Sequence, residues 1–486
     1  MSGKINSISK SKLSMEILTQ DEIRKIHCAT LDVLENVGVR FPSEKALKIF
    51  DEHGAIVDHG TMIVKLPGHL VDEYLVKAPS AYLLAGVDSK MDLSLDGFHS
   101  YLGTDGCGVE IIDAMTGEKR RATKKDLGDV GRVADRLDGI GFHWVPLSAQ
   151  DCPPETRSLH ELDAIWNVSR KHIQTEEIVT EREMLAAIEM AALLAGGLEE
   201  LRRRPLLSIM QCTLSPLCQD GGSVETALVA AKAGLPVGFM TMASCLTTGP
   251  ATPAGTLVVG NAEVLSALVL MQMAAPGCPV YYAAAQTASD LRTGGYTGGA
   301  PVDYLFGAAT NVLADFYNVP LSMGAFATGA KEPGWQSAID NTMSAFMALS
   351  TSADMLLGAG LLHGSRIFSY DMLLMDVEIW EMLRSTFRGI VIDQETLALD
   401  AIHEIGPGGN YLAHPHTLRN MRQLWQPTLM DRRPYTEWEQ KKDGPREWAL
   451  DKARKILDTH HPEPLDPKIQ QEFKKIIDQS ERDWIK

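Results

Sequence analysis

The sequence predicts an α/β fold: a (β/α)8 TIM barrel with an N-terminal α+β cap and a C-terminal helical extension. Three observations carry this. Short strand-like apolar runs recur about every 35 residues, helix-like runs separate them, and the runs number eight. Eight β-α units need about 250 residues, and the 486-residue chain accommodates them with length to spare at both ends. An eight-stranded doubly wound open sheet is the rival arrangement that the same alternation permits.

Residues 1–98 read as the cap. "TQDEIRKIHCATLDVLENVG" opens with Thr19 and carries Glu22 three residues on, a capping box. "SEKALKIFDEHG" is a second helix with a glycine stop, and short strands such as "MIVKLP" and "DLSLDGFHSYLG" follow. The barrel is expected over 99–370. Its strands are 100–106, 141–148, 171–177, 206–212, 236–242, 279–285, 320–326 and 355–361. Between them lie helical stretches such as "TEREMLAAIEMAALLAGG", with Thr180 and Glu183 as its capping box and Gly196 as its stop. Several strands are entered through proline, as in "AGLPVGFM" and "PGCPVYY", which the first residue of a strand tolerates. Residues 371–486 are helical and then rich in proline and charge, a tail suited to wrapping the barrel or forming an oligomer contact.

Composition narrows the function. With 45% hydrophobic and 22% charged residues the chain is ordinary for a globular protein. A net charge of −17 argues against sequence-independent nucleic-acid binding, which requires clustered Lys and Arg. The longest apolar run is broken by Asn261 and Glu263, so no membrane span is expected, and without a hydrophobic signal core the protein is read as cytoplasmic. The cysteines are odd in number and include no C-x-x-C pair, so free thiols are expected.

A barrel places its site at the carboxyl ends of its strands. The residues there are Asp105, Trp144, Gln174, Glu176, Glu177, Gln211, Thr213, Ser215, Thr241, Ser244, Thr247, Thr248, Tyr282, Gln286, Asp290, Arg292, Tyr296, Thr328, Lys331, Glu332, Trp335, His363, Arg366, Phe368 and Tyr370. The inventory is amides, hydroxyls, aromatics and carboxylates. The stretch "PVYYAAAQTASDLRTGGYTGGAP" (279–301) leads from the sixth strand into a glycine-rich loop that lets backbone come close to a ligand. Asp290 and Arg292 either furnish its rim or pair to stiffen it. His403, Glu404, His414 and His416 are close in sequence, but their spacing matches no common zinc pattern, and no metal is expected. Lys171 opens its strand and so points away from the site, and Lys331 reads as a solvated side chain.

The stretches "SPLCQDGGSVETALVAAKAGLPVGFMTMASCLTTGPATPAGTLVVGNAEVL", "PGCPVYYAAAQTASDLRTGGYTGGAPVDYL", "GLLHGSRIFSYDMLLMDVEIW" and "GPGGNYLAHPHTL" resemble the trimethylamine:corrinoid methyltransferase superfamily. They resemble in particular its branch without pyrrolysine, whose members include a glycine betaine:corrinoid methyltransferase. The resemblance implies a barrel that moves a methyl group from a methylated amine to the Co(I) corrinoid of a separate partner protein, with no tightly bound cofactor of its own. In "TGAKEPGWQSAID" this chain carries Gly329 and Gly334 where the resemblance implies acidic residues. The sequence contains no pyrrolysine, so the expected substrate is a quaternary amine, glycine betaine or a related betaine; a trimethylamine enzyme and a catalytically silent betaine-binding barrel are the alternatives. A quaternary nitrogen already carries the charge that lets it depart as a neutral amine, so the reaction needs no general acid. It does need aromatic faces around the N-methyl groups, for which the candidates are Trp144, Tyr282, Tyr296, Trp335 and Phe368. A betaine carboxylate also wants donors, offered by Arg292, His363, Arg366, Gln211 or Gln286, with Asp290 on the rim. A homo-oligomer joined through the tail is expected.

Overall fold

The computed structural model describes residues 4–295 and 297–485. Eight parallel strands form the barrel: β1 (His99–Thr104), β2 (Ile140–Trp144), β3 (His172–Thr175), β4 (Leu207–Cys212), β5 (Val237–Thr241), β6 (Val280–Ala284), β7 (Leu321–Gly324) and β8 (Met355–Ala359). Each starts within one residue of its expected position. β8 pairs with β1, which closes the sheet and excludes the open, doubly wound rival. A helix follows each strand: α1 (Lys124–Arg136), α2 (Arg157–Trp166), α3 (Glu181–Ala195), α4 (Gly221–Ala233), α5 (Pro253–Ala274), α6 (Pro301–Phe316), α7 (Trp335–Ser350) and α8 (Tyr370–Phe387).

Local chemistry sets the helix limits. The Thr180 hydroxyl accepts from Glu183 N to start α3, and Gly196 ends it at φ 87°, a left-handed conformation that glycine adopts without a Cβ clash. Pro253 and Pro301 begin α5 and α6, where a missing N–H is harmless. Contrary to the expectation from Asn261 and Glu263, α5 is long and apolar enough to cross a membrane. Its most apolar window is nevertheless 78% buried inside the protein, as befits a helix enclosed between strands and outer layers.

Two cores result. One fills the space between strands and helices. The other lies inside the barrel and is built by Tyr101, Phe142, Trp144, Met210, Met240, Tyr281, Ala283, Met355 and Leu357. Leu84, Leu93 and Leu95 of the hairpin Tyr82–Leu84/Leu93–Leu95 join this inner core, so the N-terminal region plugs the barrel beneath its first layer. The strand Ile8–Ser9 pairs antiparallel with β1. At the other end of the chain, Pro445–Thr459 packs on α8 and α1, and Pro467–Trp484 packs on α3 and α2. His460 Nε2 donates to Asp135 Oδ2 at 2.8 Å, and Arg446 Nε donates to Asp371 Oδ2 at 2.7 Å. All seven cysteines are free.

Candidate functional site at the barrel mouth

Side chains alternate along a strand, so the inner core identifies the inward-facing set. Gly103, Gln174, Met210, Met240 and Ala283 face inward, and a step of two along each strand carries Asp105, Glu176, Cys212, Met242 and Ala285 to the mouth alongside Trp144. One side of the mouth is therefore acidic and aromatic, on β1 to β3. The opposite side, with Ala285 on β6 and Gly324 on β7, is built of very small residues, and a Cβ placed on Gly324 would meet only the Ala285 Cβ, at 3.6 Å.

A sealed layer lies beneath. The Tyr281 ring occupies the space over Gly238, where any Cβ would come within 2.0 Å of it. Its hydroxyl lies 2.8 Å from the Ile209 carbonyl and 3.1 Å from Gln174 Oε1, and Gln174 in turn reaches Met210 Sδ. Trp144 sits one layer higher with 6% of its surface exposed, its indole laid over Gly106, where a Cβ would come within 2.3 Å of the ring. The Trp144 Nε1–H is buried and has no acceptor among the described residues. Leaving such a donor unpaired costs about 1–3 kcal/mol, which a bound acceptor recovers.

Asp105 and Glu176 flank Trp144 on the neighbouring strands. Burial pushes the Asp105 carboxyl up to about 7, against the opposing pull of the Ser365 hydroxyl and the Gly106 N–H. The Glu176 carboxyl is raised well above its ordinary range by burial first and then by the charges of Glu177 and Asp105. Cys212 is likewise pushed up by burial and by Glu176. Behind β2 and β3, Glu161 and Glu177 are both raised by burial; Ala149 N donates to Glu161 Oε1 at 2.8 Å.

The rim comes from the loops after β8 and β1. Leu361–Leu362 and Ile367–Ser369 form a hairpin that pairs with Glu110–Ile112, and this in turn pairs with Lys119–Arg121. At the hairpin tip His363, Gly364 and Ser365 take φ values of 56°, 64° and 61°, a run of three left-handed residues. That turn aims Ser365 Oγ at Asp105 Oδ2, 2.5 Å away, and links the two loops that close the barrel.

The other residues named from sequence are placed as follows. Tyr282 does not line the mouth. Its neighbour Tyr281 faces inward, so Tyr282 is turned out into the strand-helix core. Gln211 is outward for the same reason and donates to the Ile178 carbonyl. Gln286 is buried, donating to the Thr256 carbonyl and accepting from Thr310, so it ties α5 to α6. Phe368 is fully buried, edge-on to Tyr370 with ring centroids 5.3 Å apart. Trp335 is 81% exposed at the start of α7. Arg292 folds back on Asp290, with Nη2 to Oδ2 at 2.9 Å, so the pair stiffens its own loop. His363 and Arg366 are exposed on the β8 hairpin. Tyr296 lies outside the described residues. Lys171 is buried at the far end and donates to the Ala134 and Leu137 carbonyls, and Lys331 Nζ donates to the Gly329 carbonyl at 2.6 Å. His414 accepts from His416 N and contacts Glu404, and among the described residues no group of three His, Cys, Asp or Glu is placed to hold a metal.

Sequence reading missed the part played by Glu263. It is fully buried on α5, and its carboxylate accepts from Thr213 Oγ1 (2.7 Å), Ser215 Oγ (2.9 Å), Thr241 Oγ1 (2.8 Å) and Leu217 N (2.9 Å). One side chain thus orders the loop after β4 and the end of β5. The signal was visible as a lone acid in an otherwise apolar helix.

The trimethylamine methyltransferase (MTTB) family matches residues 2–484. The trimethylamine methyltransferase MttB of Desulfitobacterium hafniense is 35% identical over 469 residues, covering 96% of this chain and 94% of that protein. The glycine betaine methyltransferase of Desulfitobacterium hafniense strain Y51 is 31% identical over 467 residues, covering 95% and 96%. Among solved structures, the monomethylamine methyltransferase MtmB of Methanosarcina barkeri superposes with a TM-score of 0.51 at 12% identity, over 90% of this chain and 92% of that one. That last likeness is one of fold.

Proposed function

Because the chain belongs to the trimethylamine methyltransferase family, we propose that it demethylates a quaternary amine, glycine betaine or a related betaine, and passes the methyl group to the Co(I) corrinoid of a partner protein. One observation carries the choice of a cation: Asp105, Trp144 and Glu176 converge on the mouth from three adjacent strands, and among the described residues none that faces inward at that level is basic. Trp144 offers a π face and the two carboxyl groups offer negative charge, the combination that holds an alkylammonium. The small residues of β6 and β7 leave its methyl groups room.

The chemistry follows from the substrate's charge. The nucleophile attacks a methyl carbon, the C–N bond breaks, and its electron pair stays on nitrogen as a neutral tertiary amine. No proton is needed, so the protein's task is to hold and align. The unpaired Trp144 Nε1–H supports a betaine over a simple amine, because it is a donor ready for a carboxylate oxygen. The corrinoid belongs to the partner, and its cobalt is the methyl acceptor. The barrel, 99–370, does this work in the cytoplasm, with 1–98 and 371–486 bracing it. The exposed apolar side chains Ile390, Ile392, Leu412, Leu418 and Leu424 support a homo-oligomer formed with a second copy through the tail.

A second reading, demethylation of trimethylamine, is favoured by the 35% identity to the relative of that name. Purified protein, reduced cobalamin and a panel of amines separate the two. Loss of the Co(I) spectrum with a betaine but not with trimethylamine is the expected result. Turnover of trimethylamine alone selects the second reading, and betaine binding without any methyl transfer reduces the barrel to a binding module.

A further inference from the structure

We propose that two copies of this chain join by exchanging the segment that follows α8: the acidic stretch 390–405 of each copy lies in a basic groove of the other, at the end of the barrel opposite the mouth. This rests on the reading of the tail as a homo-oligomer contact and goes beyond it by naming the two surfaces that meet.

The segment leaves its own barrel uncovered. Because α8 runs back from the end of β8, residues 390–424 begin at the end of the barrel away from the mouth, and Gly389 turns the chain out of the helix at φ 71°. Large apolar side chains stand exposed along the whole stretch, with Ile390 at 91% and Leu412 at 83%. Single exposed apolar residues are ordinary on a surface, whereas a continuous run of them marks an interface.

Charge decides what covers it. Residues 390–405 carry Asp393, Glu395, Asp400 and Glu404 and no Lys or Arg. Asp393 accepts from Thr396 N within its own turn and Glu404 faces His414, but the carboxyls of Glu395 and Asp400 meet no donor among the described residues. At the root of the segment, the end of α8 and residues 422–426 enclose a groove of about 390 Å3, which continues past Arg388 into one of about 600 Å3 along residues 7–13. Glu381 is the acid of this groove and is paired with Arg384. Lys10, Lys12, Arg388 and Arg422 have no carboxylate within ion-pair distance among the described residues, an unusual surface on a chain of net charge −17. Within one copy, then, the acids and the bases are both left unmatched. A two-fold axis that seats the stretch of one copy in the groove of the other brings the reverse contact with it, so one arrangement matches both surfaces twice. Both mouths stay open for substrate.

The test is sedimentation velocity of the full-length protein over a range of concentrations, with circular dichroism to confirm the fold of each variant. The unmodified protein is expected to be a dimer. Glu395→Lys with Asp400→Lys leaves both surfaces basic, and Arg388→Glu with Arg422→Glu leaves both acidic, so each variant is expected to raise the dimer Kd at least about tenfold. An equimolar mixture of the two variants restores the match at both contacts and is expected to return the Kd to within about threefold of the unmodified protein. A dimer that neither variant weakens, or that the mixture does not restore, overturns the exchange and leaves a homo-oligomer formed through another surface. An assembly of three copies overturns the two-fold contact. A protein that stays monomeric overturns both the exchange and the homo-oligomer, while methyl transfer, assayed separately, decides the rest of the proposed function.

Discussion

At the scale of single residues, side chains that look alike in sequence carry unequal weight. Trp144 faces the mouth, whereas Tyr282 and Phe368 are structural. Trp144→Ala is expected to lower kcat/KM for the betaine about 30-fold, the worth of a desolvated cation–π contact of about 2 kcal/mol. Tyr282→Phe should leave kcat/KM within about twofold. Steady-state kinetics on the two variants check this, and the reverse order would return the cage to the outward tyrosine. The Asp290–Arg292 pair is a local brace on an exposed loop, so Arg292→Ala is expected to leave the denaturation midpoint unchanged, read by denaturant titration.

At the scale of elements, Glu263 connects α5 to the loops after β4 and β5. Glu263→Ala strips a common acceptor from four donors and is expected to cost about 3–5 kcal/mol, measured by urea unfolding. Glu263→Gln keeps the shape and part of the acceptor capacity, so it should cost less. The elements themselves were legible in the sequence, because proline entries, threonine caps and glycine stops delimit each unit. Which of two adjacent tyrosines faces the barrel was not. "YY" satisfies either register, and a shift of one residue exchanges the two faces, so only the paired neighbours decide it. Asp105 and Glu176 were legible as strand-end acids; their convergence on Trp144 depends on the relative register of β1, β2 and β3. Glu263 went unread because its partners come from segments 22–50 residues away.

At the scale of the whole molecule, the barrel is braced from below by buried histidines held neutral. His172 Nδ1 donates to the Ala85 carbonyl and Nε2 accepts from Ser208, while His143 bonds to Ser169, which donates to Asp135. Burial lowers His172 to about 4 and His143 to about 3. Below the ordinary histidine range the unfolded chain therefore binds protons that the folded chain does not, and stability falls as pH drops from about 6.5 towards 4. Asp105, raised to about 7, acts in the opposite direction over the same range and partly offsets the slope. His172→Asn should make stability less steep in pH between about 6 and 4.5, by up to about 1.4 kcal/mol per unit, in thermal or urea melts.

On the proposed function, the acidic and aromatic side of the mouth grips an alkylammonium. A crystal structure of the protein with glycine betaine bound tests it most directly. The ammonium is expected within about 6 Å of the Trp144 ring, facing Asp105 and Glu176, with one N-methyl group directed out of the barrel. A betaine bound elsewhere, with those three side chains untouched, would contradict it.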